Sequence, residues 1–269
     1  MSIWVLRGLR DGVVTTRWPA KPDPYADAWR GPAQLAGPAG QDSTDRQADV
    51  ADLCPTGAIR VSDGTVRVDQ GRCILCGRCV AERPGVFAWS QGASGPGQAA
   101  LTREQLIVPE LPETDAAIQA ARARLAMRTR ALRRSVHVRH VDAGSDGSEE
   151  WEIQALLGPV YDIGRLGVFV TASPRHADVL LVTGAGAHGM TGPLRTTYEA
   201  MPDPRIVIAV GTDAVSGGLL AGSETTTGGV GAAVPVDIWL AGSPPSPFGI
   251  LNALLIAVGY LNPEGKRSR

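Results

Sequence analysis

The C-terminal half of the chain alternates short apolar runs with segments of helical periodicity. The runs predicted to be strands are residues 136–141, 178–183, 205–210 and 234–240. Apolar residues with helical spacing occupy residues 149–157, 193–201 and 248–261. Strands that alternate with helices normally pair in parallel. We therefore expect an α/β domain with a parallel sheet covered on both faces.

The N-terminal half has a different pattern. Residues 1–50 are punctuated by prolines and are predicted to be loop-rich, whereas residues 60–70 alternate like a hairpin that turns at Asp63-Gly64. Residues 92–98 have the composition of a turn, and residues 113–134, without proline or glycine, predict a helix. The predicted organisation is a first domain at 1–110, a linker helix at 111–135 and a second domain at 136–264.

The predicted linker helix is dense in arginine. The six arginines are Arg122, Arg124, Arg128, Arg130, Arg133 and Arg134. Cations near a helix C-terminus interact favourably with the helix dipole, so a solvated helix end is one interpretation. A docking surface for an acidic partner subunit is the other.

Composition excludes several classes of protein. The 269 residues carry a net charge of −1, which gives no global attraction for nucleic acid or an anionic membrane. No stretch approaches the roughly 20 apolar residues that span a bilayer. The first ten residues lack the apolar run of an export signal. A soluble cytoplasmic protein with no membrane span is expected.

All four cysteines lie between positions 54 and 79. Cys73, Cys76 and Cys79 form a C-x2-C-x2-C run, and Cys54 is followed by a proline. Such a triad with a remote Cys-Pro is typical of one [4Fe–4S] cluster, and the predicted hairpin returns Cys54 towards the triad. Zinc is the alternative, although its sites usually pair two separated C-x2-C knuckles.

A second ferredoxin-type cluster has no ligands. Its first three cysteines would stand at positions 44, 47 and 50, which hold Thr44, Gln47 and Val50. Its fourth would stand before Pro84, where the chain has Arg83. The four ligands are absent together, so one cluster is predicted.

Other motifs give weaker signals. Residues 184–189 read G-x-G-x-x-G after a predicted strand, and Asp213 follows at a distance suited to a ribose-binding acid. Pro193, taken to interrupt the start of the next helix, argues against dinucleotide binding. The four histidines are scattered, and His140 is expected to have a structural role.

Separated motifs from Val138 onward carry a family resemblance. They are RHVDAGSDGSEEWEIQALLGPVYDIGRLG, SPRHADVLLVTG, AVGTDAVSGG and GSPPSP. This part resembles the small subunit of complex I-like enzymes and of membrane-bound [NiFe] hydrogenases of the formate hydrogenlyase type. The N-terminal part resembles the ferredoxin-like subunit of the same complexes. The resemblance implies a fusion: an α+β ferredoxin-like domain followed by a flavodoxin-like domain with a parallel sheet.

The resemblance also implies where a second cofactor would be. In the family, four cysteines of the small subunit hold the cluster nearest the catalytic centre. The matching positions here are Asp146, Glu149, Asp213 and Ser243. Oxygen ligands do not replace the thiolates of a cubane, so this proximal cluster is predicted to be absent. The vacated positions then form either a hydrated polar pocket, its charge balanced by Arg165, Arg175 or another subunit, or a site for Mg²⁺ or Ca²⁺.

The expected function is that of an iron–sulfur electron-transfer subunit without catalysis of its own. Its expected partners are a hydrogenase-like or complex I-like large subunit and other subunits that hold it on the cytoplasmic face of the membrane. The alternative is a scaffold subunit that docks a degenerate large subunit, with a structural or sensory cluster. A nucleotide-dependent oxidoreductase is the third hypothesis.

Overall fold

The computed structural model describes residues 3–36, 50–62, 64–92, 99–109, 114–130, 132 and 135–261. Several sequence predictions concern residues outside these ranges. They are the predictions for Thr44, Gln47, Asp63, residues 93–98, Arg133 and Arg134.

Strands and helices within these ranges are numbered in chain order. The strands are β1 (Arg30–Leu35), β2 (Ile59–Ser62), β3 (Thr65–Asp69), β4 (Phe87–Gln91), β5 (Ala99–Ala100), β6 (Ile107–Val108), β7 (Val136–Asp142), β8 (Val168–Val170), β9 (Val179–Thr183), β10 (Ile206–Val210) and β11 (Ile238–Leu240). The helices are α1 (Ile3–Asp11), α2 (Pro24–Ala28), α3 (Arg78–Glu82), α4 (Thr114–Thr129), α5 (Ser148–Ala155), α6 (His188–Ala200), α7 (Gly211–Ser216) and α8 (Pro247–Ala257).

The largest sheet has the strand order β5-β11-β10-β9-β7-β8. Its five strands from the C-terminal half are parallel, and β5 pairs antiparallel at the edge. When the five parallel strands β7 to β11 are renumbered 1 to 5, their order across the sheet from β8 to β11 is 2-1-3-4-5. This is the flavodoxin-like order. The predicted α/β class with a parallel sheet is confirmed.

Buried side chains cover both faces of this sheet, as predicted. Alternate residues of one strand point to opposite faces. In β10, Ile206 and Ile208 join a core formed with α8, whereas Val207 and Ala209 join a core formed with α6 and α7. All residues of α8 are buried, which accounts for its continuous apolar sequence.

The N-terminal region forms two smaller sheets and also packs against the large one. The predicted hairpin is present as the antiparallel pair β2–β3, to which β6 is added, and β1 pairs with β4. Trp18 and Leu101 lie in the core on the α8 side of the large sheet. Residues before position 110, where the first domain was predicted to end, therefore contribute both core side chains and strand β5 to the large sheet.

Three element predictions need adjustment. Helix α6 begins at His188, so Pro193 lies inside the helix and does not interrupt its start. Pro193 is exposed, which leaves solvent to satisfy the carbonyl group that lost its partner. Strand β11 is limited to three residues because Pro235 precedes it, and β8 was not predicted from its short VFV sequence.

The arginines of α4 contribute to packing within the chain. Arg128 Nη1 donates to Asp237 Oδ1 at 2.6 Å and to the carbonyl of Arg205 at 3.3 Å. Asp237 Oδ2 accepts from the backbone N–H of Val207 at 3.0 Å. Part of the dense positive charge therefore fixes α4 against the large sheet.

Candidate metal centre

The four cysteines come from three local structures that surround one cavity. Cys54 ends the 3₁₀ turn Ala51–Leu53, Cys73 ends the 3₁₀ turn Gln70–Arg72, and Cys79 lies in α3. Every other residue that lines the cavity is apolar or glycine: Ala33, Leu53, Ala58, Ile59, Val68, Ile74, Gly77 and Trp89. The cavity thus combines four cysteine side chains with an apolar wall.

Local hydrogen bonds hold the Cys54 and Cys73 segments together. The Thr56 hydroxyl donates to the carbonyl of Arg72 at 2.6 Å, and Arg72 Nη1 donates to the carbonyl of Thr56 at 3.4 Å. The loop that follows Cys54 is therefore bonded directly to the residue before Cys73. This pair of contacts brings the remote Cys-Pro to the triad.

Backbone N–H groups are directed at two of the sulfurs. The N–H of Ala58 donates to Cys54 Sγ at 3.2 Å, and the N–H of Ala33 in β1 donates to Cys73 Sγ at 3.5 Å. Such N–H···S contacts stabilise the negative charge of ligating thiolates and are one determinant of cluster potential. Ala33 and Trp89 were not identified from the sequence, since β1 and β4 become part of the site only by pairing with each other.

Glycine is required in the turn between Cys76 and Cys79. Gly77 has a φ of +75°, and a Cβ placed there would lie 2.9 Å from the Trp89 ring. The ring therefore packs directly on the turn of the triad.

The electrostatics of the cysteines favour a cationic occupant. Burial, and to a smaller degree the charges of Cys73, Cys54 and Cys76, raise the pKa of Cys79 to about 11. Burial also raises the pKa of Cys73. Four thiolates at this site therefore need positive charge among them, which iron or another metal provides.

The four cysteines line one cavity, but their placement does not by itself identify a metal. Within the described residues, no three His, Cys, Asp or Glu side chains form a group that could hold a metal ion. A cubane needs four thiolates distributed around it, whereas zinc needs four ligands that converge on one point.

The positions 146, 149, 213 and 243 lie at the carboxyl ends of the parallel strands. Asp146 and Glu149 follow β7, Asp213 lies in α7 directly after β10, and Ser243 follows β11. The two loops that carry Asp213 and Ser243 are bonded, since the N–H of Thr212 donates to the carbonyl of Gly242 at 2.6 Å. This is the edge of an open α/β sheet at which ligands usually bind.

Glu149 is buried at this edge, with 1% of its surface exposed. Burial, and to a smaller degree the charges of Asp213 and Asp146, raise the pKa of Glu149 to about 7, although Ser148 donates a hydrogen bond to it. Burial also raises the pKa of Asp213. In contrast, hydrogen bonds from Ser148 lower the pKa of Asp146.

These observations bear on the two interpretations of the vacated positions. The absence of a converging ligand set in the described part of the chain gives the hard-cation interpretation no support. Arg165, one expected source of charge balance, instead donates to the carbonyl of Trp18 at 2.8 Å. The raised pKa of Glu149 favours its protonated form, which lowers the negative charge of the site.

A second polar network, which was not predicted from the sequence, lies beside these residues. The Ser145 hydroxyl donates to Glu150 Oε2 at 2.7 Å, and the Thr183 hydroxyl donates to Glu150 Oε1. His140 Nε2 lies 3.0 Å from the Thr183 hydroxyl, and burial lowers the pKa of His140. The network joins the ends of β7 and β9 to α5, in keeping with a structural role for His140.

The glycine-rich loop is filled by the chain itself. A Cβ on Gly186 would lie 2.4 Å from Thr227 Oγ1 and 2.8 Å from the Gly229 carbonyl oxygen. The N–H of His188, at the start of α6, donates to the carbonyl of Thr225 at 3.0 Å. The segment 225–229 thus occupies the space that a dinucleotide phosphate would need.

The cysteine cavity and the vacated positions share α7. The Thr212 hydroxyl donates to the carbonyl of Cys73 at 3.0 Å. A Cβ on Gly71 would lie 2.7 Å from Val215 Cγ1, so the turn before Cys73 packs closely on α7. Asp213 is the next residue after Thr212, so the cysteine cavity and the carboxylate positions are neighbours. Cys73 and Thr212 are 139 positions apart in the sequence.

Comparison with known proteins gives consistent matches. The family described as NADH ubiquinone oxidoreductase, 20 Kd subunit, matches residues 147–257. Formate hydrogenlyase subunit 7 of Escherichia coli (strain K12) is 40% identical over 48% of this chain and 51% of its own length. The probable membrane-bound hydrogenase subunit mbhJ of Pyrococcus furiosus is 39% identical over 51% of this chain and 83% of its own length.

A chain in a solved structure of the membrane-bound sulfane sulfur reductase, an archaeal respiratory membrane complex, aligns with a TM-score of 0.43. The identity is 26%, over 48% of this chain and 74% of that one. The present chain spans about half the length of the formate hydrogenlyase subunit. In the described part of the chain, no helix has the length and apolarity to cross a bilayer.

Proposed function

Because this chain belongs to the NADH ubiquinone oxidoreductase 20 kDa subunit family, we propose that it is an iron–sulfur electron-transfer subunit of a complex I-like or [NiFe]-hydrogenase-like oxidoreductase complex. The observation that carries the proposal is that Cys54, Cys73, Cys76 and Cys79 all line one apolar cavity. A [4Fe–4S] cluster bound there would supply one-electron transfer.

The residues around the cavity have defined tasks in this proposal. The apolar wall, including Val68 and Trp89, limits the contact of water with the sulfurs, of which Cys73 is buried and Cys76 is exposed. The N–H groups of Ala58 and Ala33 stabilise charge on Cys54 and Cys73. Hydrogen bonding and solvent exclusion of this kind are the protein's means of tuning a cluster potential.

The contact between Cys73 and Thr212 supports a route for electrons towards a partner. It joins a cluster ligand to α7, at the edge of the sheet where the family resemblance puts the proximal cluster. The residues at this edge, Asp146, Glu149, Asp213 and Ser243, have no redox chemistry of their own and would not accept an electron from a cluster held by the four cysteines. The acceptor then has to be supplied by a partner subunit.

The proposed partners are a large subunit of the hydrogenase or complex I type and further subunits of the same complex. Two relatives are named as subunits of formate hydrogenlyase and of a membrane-bound hydrogenase. On this basis the chain is proposed to be a peripheral subunit, on the cytoplasmic face of the membrane.

The first experiment measures iron, acid-labile sulfide and the EPR spectrum of the reduced chain after anaerobic purification. About four irons per chain and one cubane signal are expected, since four thiolates ligate one cubane. Cys73→Ala, with a buried ligand removed, is expected to lose the signal. Zinc without sulfide would contradict the proposal, as would about eight irons.

A scaffold function is the second candidate, and the vacated positions favour it. Three carboxylic acids and a hydroxyl at 146, 149, 213 and 243 cannot hold a cubane, so the usual relay to a buried metal centre is incomplete in this chain. In a scaffold, the surviving cluster would serve stability or sensing. The large subunit would be degenerate as well.

The two functions differ in what a cluster-free variant does in the assembled complex. Cys76→Ala is suited to this test because Cys76 is the exposed ligand. An electron-transfer role predicts that the variant complex assembles with its large subunit but loses turnover with the physiological donor. Unchanged turnover in an assembled complex would identify the chain as a scaffold.

A further inference from the structure

Helix α1 exposes an unusual amount of apolar surface. None of its residues is buried. Ile3 and Trp4 are 80% and 75% exposed, Leu6 and Leu9 are 54% and 75% exposed, and the apolar character continues past the helix in Val13 and Val14. Large side chains exposed one after another mark an interaction site, whereas single exposed residues do not.

Most of the apolar side chains of α1 lie on the side opposite its arginines. At about 100° per residue, Val5 and Leu9 share one face with Leu6 at its edge, whereas Arg7 and Arg10 project from the other side, together with Ile3. Trp4 lies at the boundary between the two. A short helix with this distribution is suited to lie in the plane of a membrane surface, with its apolar face at the acyl boundary and its arginines among the headgroups.

The chain after α1 is anchored to the large sheet domain. The N–H of Thr16 donates to the carbonyl of Val160 at 2.8 Å, and the hydroxyl of Thr15 donates to the carbonyl of Pro159 at 2.7 Å. Trp18 is buried and packs edge-to-face on Phe248, with ring centroids 5.7 Å apart. The helix is therefore joined to a fixed point by the short segment 12–14.

The charge of this region differs from that of the rest of the chain. In residues 3–21, Arg7, Arg10, Arg17 and Lys21 outnumber Asp11 by three, whereas the whole chain has a net charge of −1. Positive charge beside an apolar helix face complements the negative surface of anionic lipids. It does not complement a neutral bilayer or an apolar protein surface.

We propose that α1 binds an anionic membrane surface directly, in the plane of the lipid headgroups. The proposal adds a lipid contact to an assembly that would otherwise reach the membrane only through partner subunits. It is independent of the iron–sulfur assignment, because α1 contributes no residue to the cysteine cavity.

The experiment is co-sedimentation of the full-length chain with mixed phosphatidylglycerol–phosphatidylcholine vesicles and with pure phosphatidylcholine vesicles. The chain is expected to bind the anionic vesicles at least about tenfold more tightly, and binding should weaken as ionic strength rises. Vesicles are used without any partner subunit. Equal binding to the two kinds of vesicle, or no binding to either, would overturn the proposal.

A pair of variants tests whether α1 is the element that binds. The double variant Leu6→Ser/Leu9→Ser is expected to lose roughly tenfold or more in affinity, since two apolar side chains no longer leave water. The matched control is Leu219→Ser/Leu220→Ser, two adjacent leucines that are 67% and 50% exposed elsewhere on the surface. The control should bind like the unaltered chain.

The variants alter exposed side chains, so the fold is expected to persist, and circular dichroism together with iron content checks this for both. Equal losses in the two double variants would contradict a specific role for α1. If α1 instead covers an apolar protein partner, the unaltered chain will fail to bind vesicles, and the lipid proposal is then wrong.

Discussion

The buried carboxyl group of Glu149 allows a quantitative prediction. Its pKa is raised from 4.5 to about 7, chiefly by burial. At about 1.4 kcal/mol per pKa unit, ionising Glu149 in the folded chain costs about 3 kcal/mol more than in the unfolded chain. The substitution Glu149→Gln keeps the shape of the side chain and removes this ionisation.

The sign of the effect follows from proton binding. Below pH 4.5 the group is protonated in both states, and it contributes no difference. As pH rises towards 7, the unfolded chain has lost this proton while the folded chain retains it, so stability falls with increasing pH. About 2.5 kcal/mol of this loss develops between about pH 5 and about pH 8.

The assay is anaerobic denaturant unfolding of the unaltered chain and of Glu149→Gln over that pH range. The variant should become progressively more stable relative to the unaltered chain as pH rises. A constant offset between the two would reflect amide contacts alone, so only the pH-dependent part of the difference is informative. Glu199→Gln, on the exposed side of α6, is the control and should follow the unaltered chain.

Parallel pH profiles for Glu149→Gln and the unaltered chain would refute the reasoning. They would mean that Glu149 is solvated or paired with a cation, and that the vacated positions are balanced by charge instead of by a proton.

Two further predictions concern an ion pair in the cysteine region and the packing of Glu149 against α7. Arg103 donates two hydrogen bonds to the buried Asp69, both at 2.8 Å. Arg103→Met is expected to cost about 1.5–3 kcal/mol of unfolding free energy, measured by denaturant unfolding, because Arg72 Nε still lies 3.6 Å from Asp69 Oδ2. In Gly211→Ala, the new Cβ would lie 2.3 Å from Glu149 Oε1 at a φ of +92°, so thermal unfolding should occur several degrees lower than in Gly147→Ala, whose φ is +91° and whose Cβ meets nothing within 4 Å.

Each of these predictions has a contrary outcome. For the ion pair, Arg78→Met is the control, because Arg78 and Glu82 form an exposed pair on α3 that is worth about 0.3–0.5 kcal/mol. Similar losses in Arg103→Met and Arg78→Met would mean that Asp69 is not isolated from solvent. For the glycines, equal unfolding temperatures would show that only backbone strain matters and that Glu149 does not approach α7.

The family and much of the C-terminal fold could be predicted from the sequence. Hydrophobic runs in β7, β9 and β10 and the apolar α8 are encoded by neighbouring residues, so their periodicity identifies them without tertiary structure. The same is true of the β2–β3 hairpin and of the cysteine spacing. The short strands β5 and β8 carry too few residues to show a period.

The candidate site was only partly predictable. The four cysteines were identified as one ligand set, and that assignment remains a prediction, whereas the apolar wall from β1 and β4 was missed. Ala33 and Trp89 have no local signature, since they reach the cavity through strand pairing. The described residues give no support to a cation site at the carboxylates. The sequence could not settle this point, because the relative positions of these side chains depend on the loops that follow β7, β10 and β11.

The sequence by itself determined the longer elements of the C-terminal half, the spacing of the four cysteines and the absence of cysteine at positions 146, 149, 213 and 243. Only the tertiary structure decided that Cys73 lies against Thr212, that Glu149 is buried and that α1 has its apolar face exposed. The physical reason is the range of the interactions. Periodicity and spacing act between neighbours in the chain, whereas burial and the contact between Cys73 and α7 depend on residues brought together from distant segments.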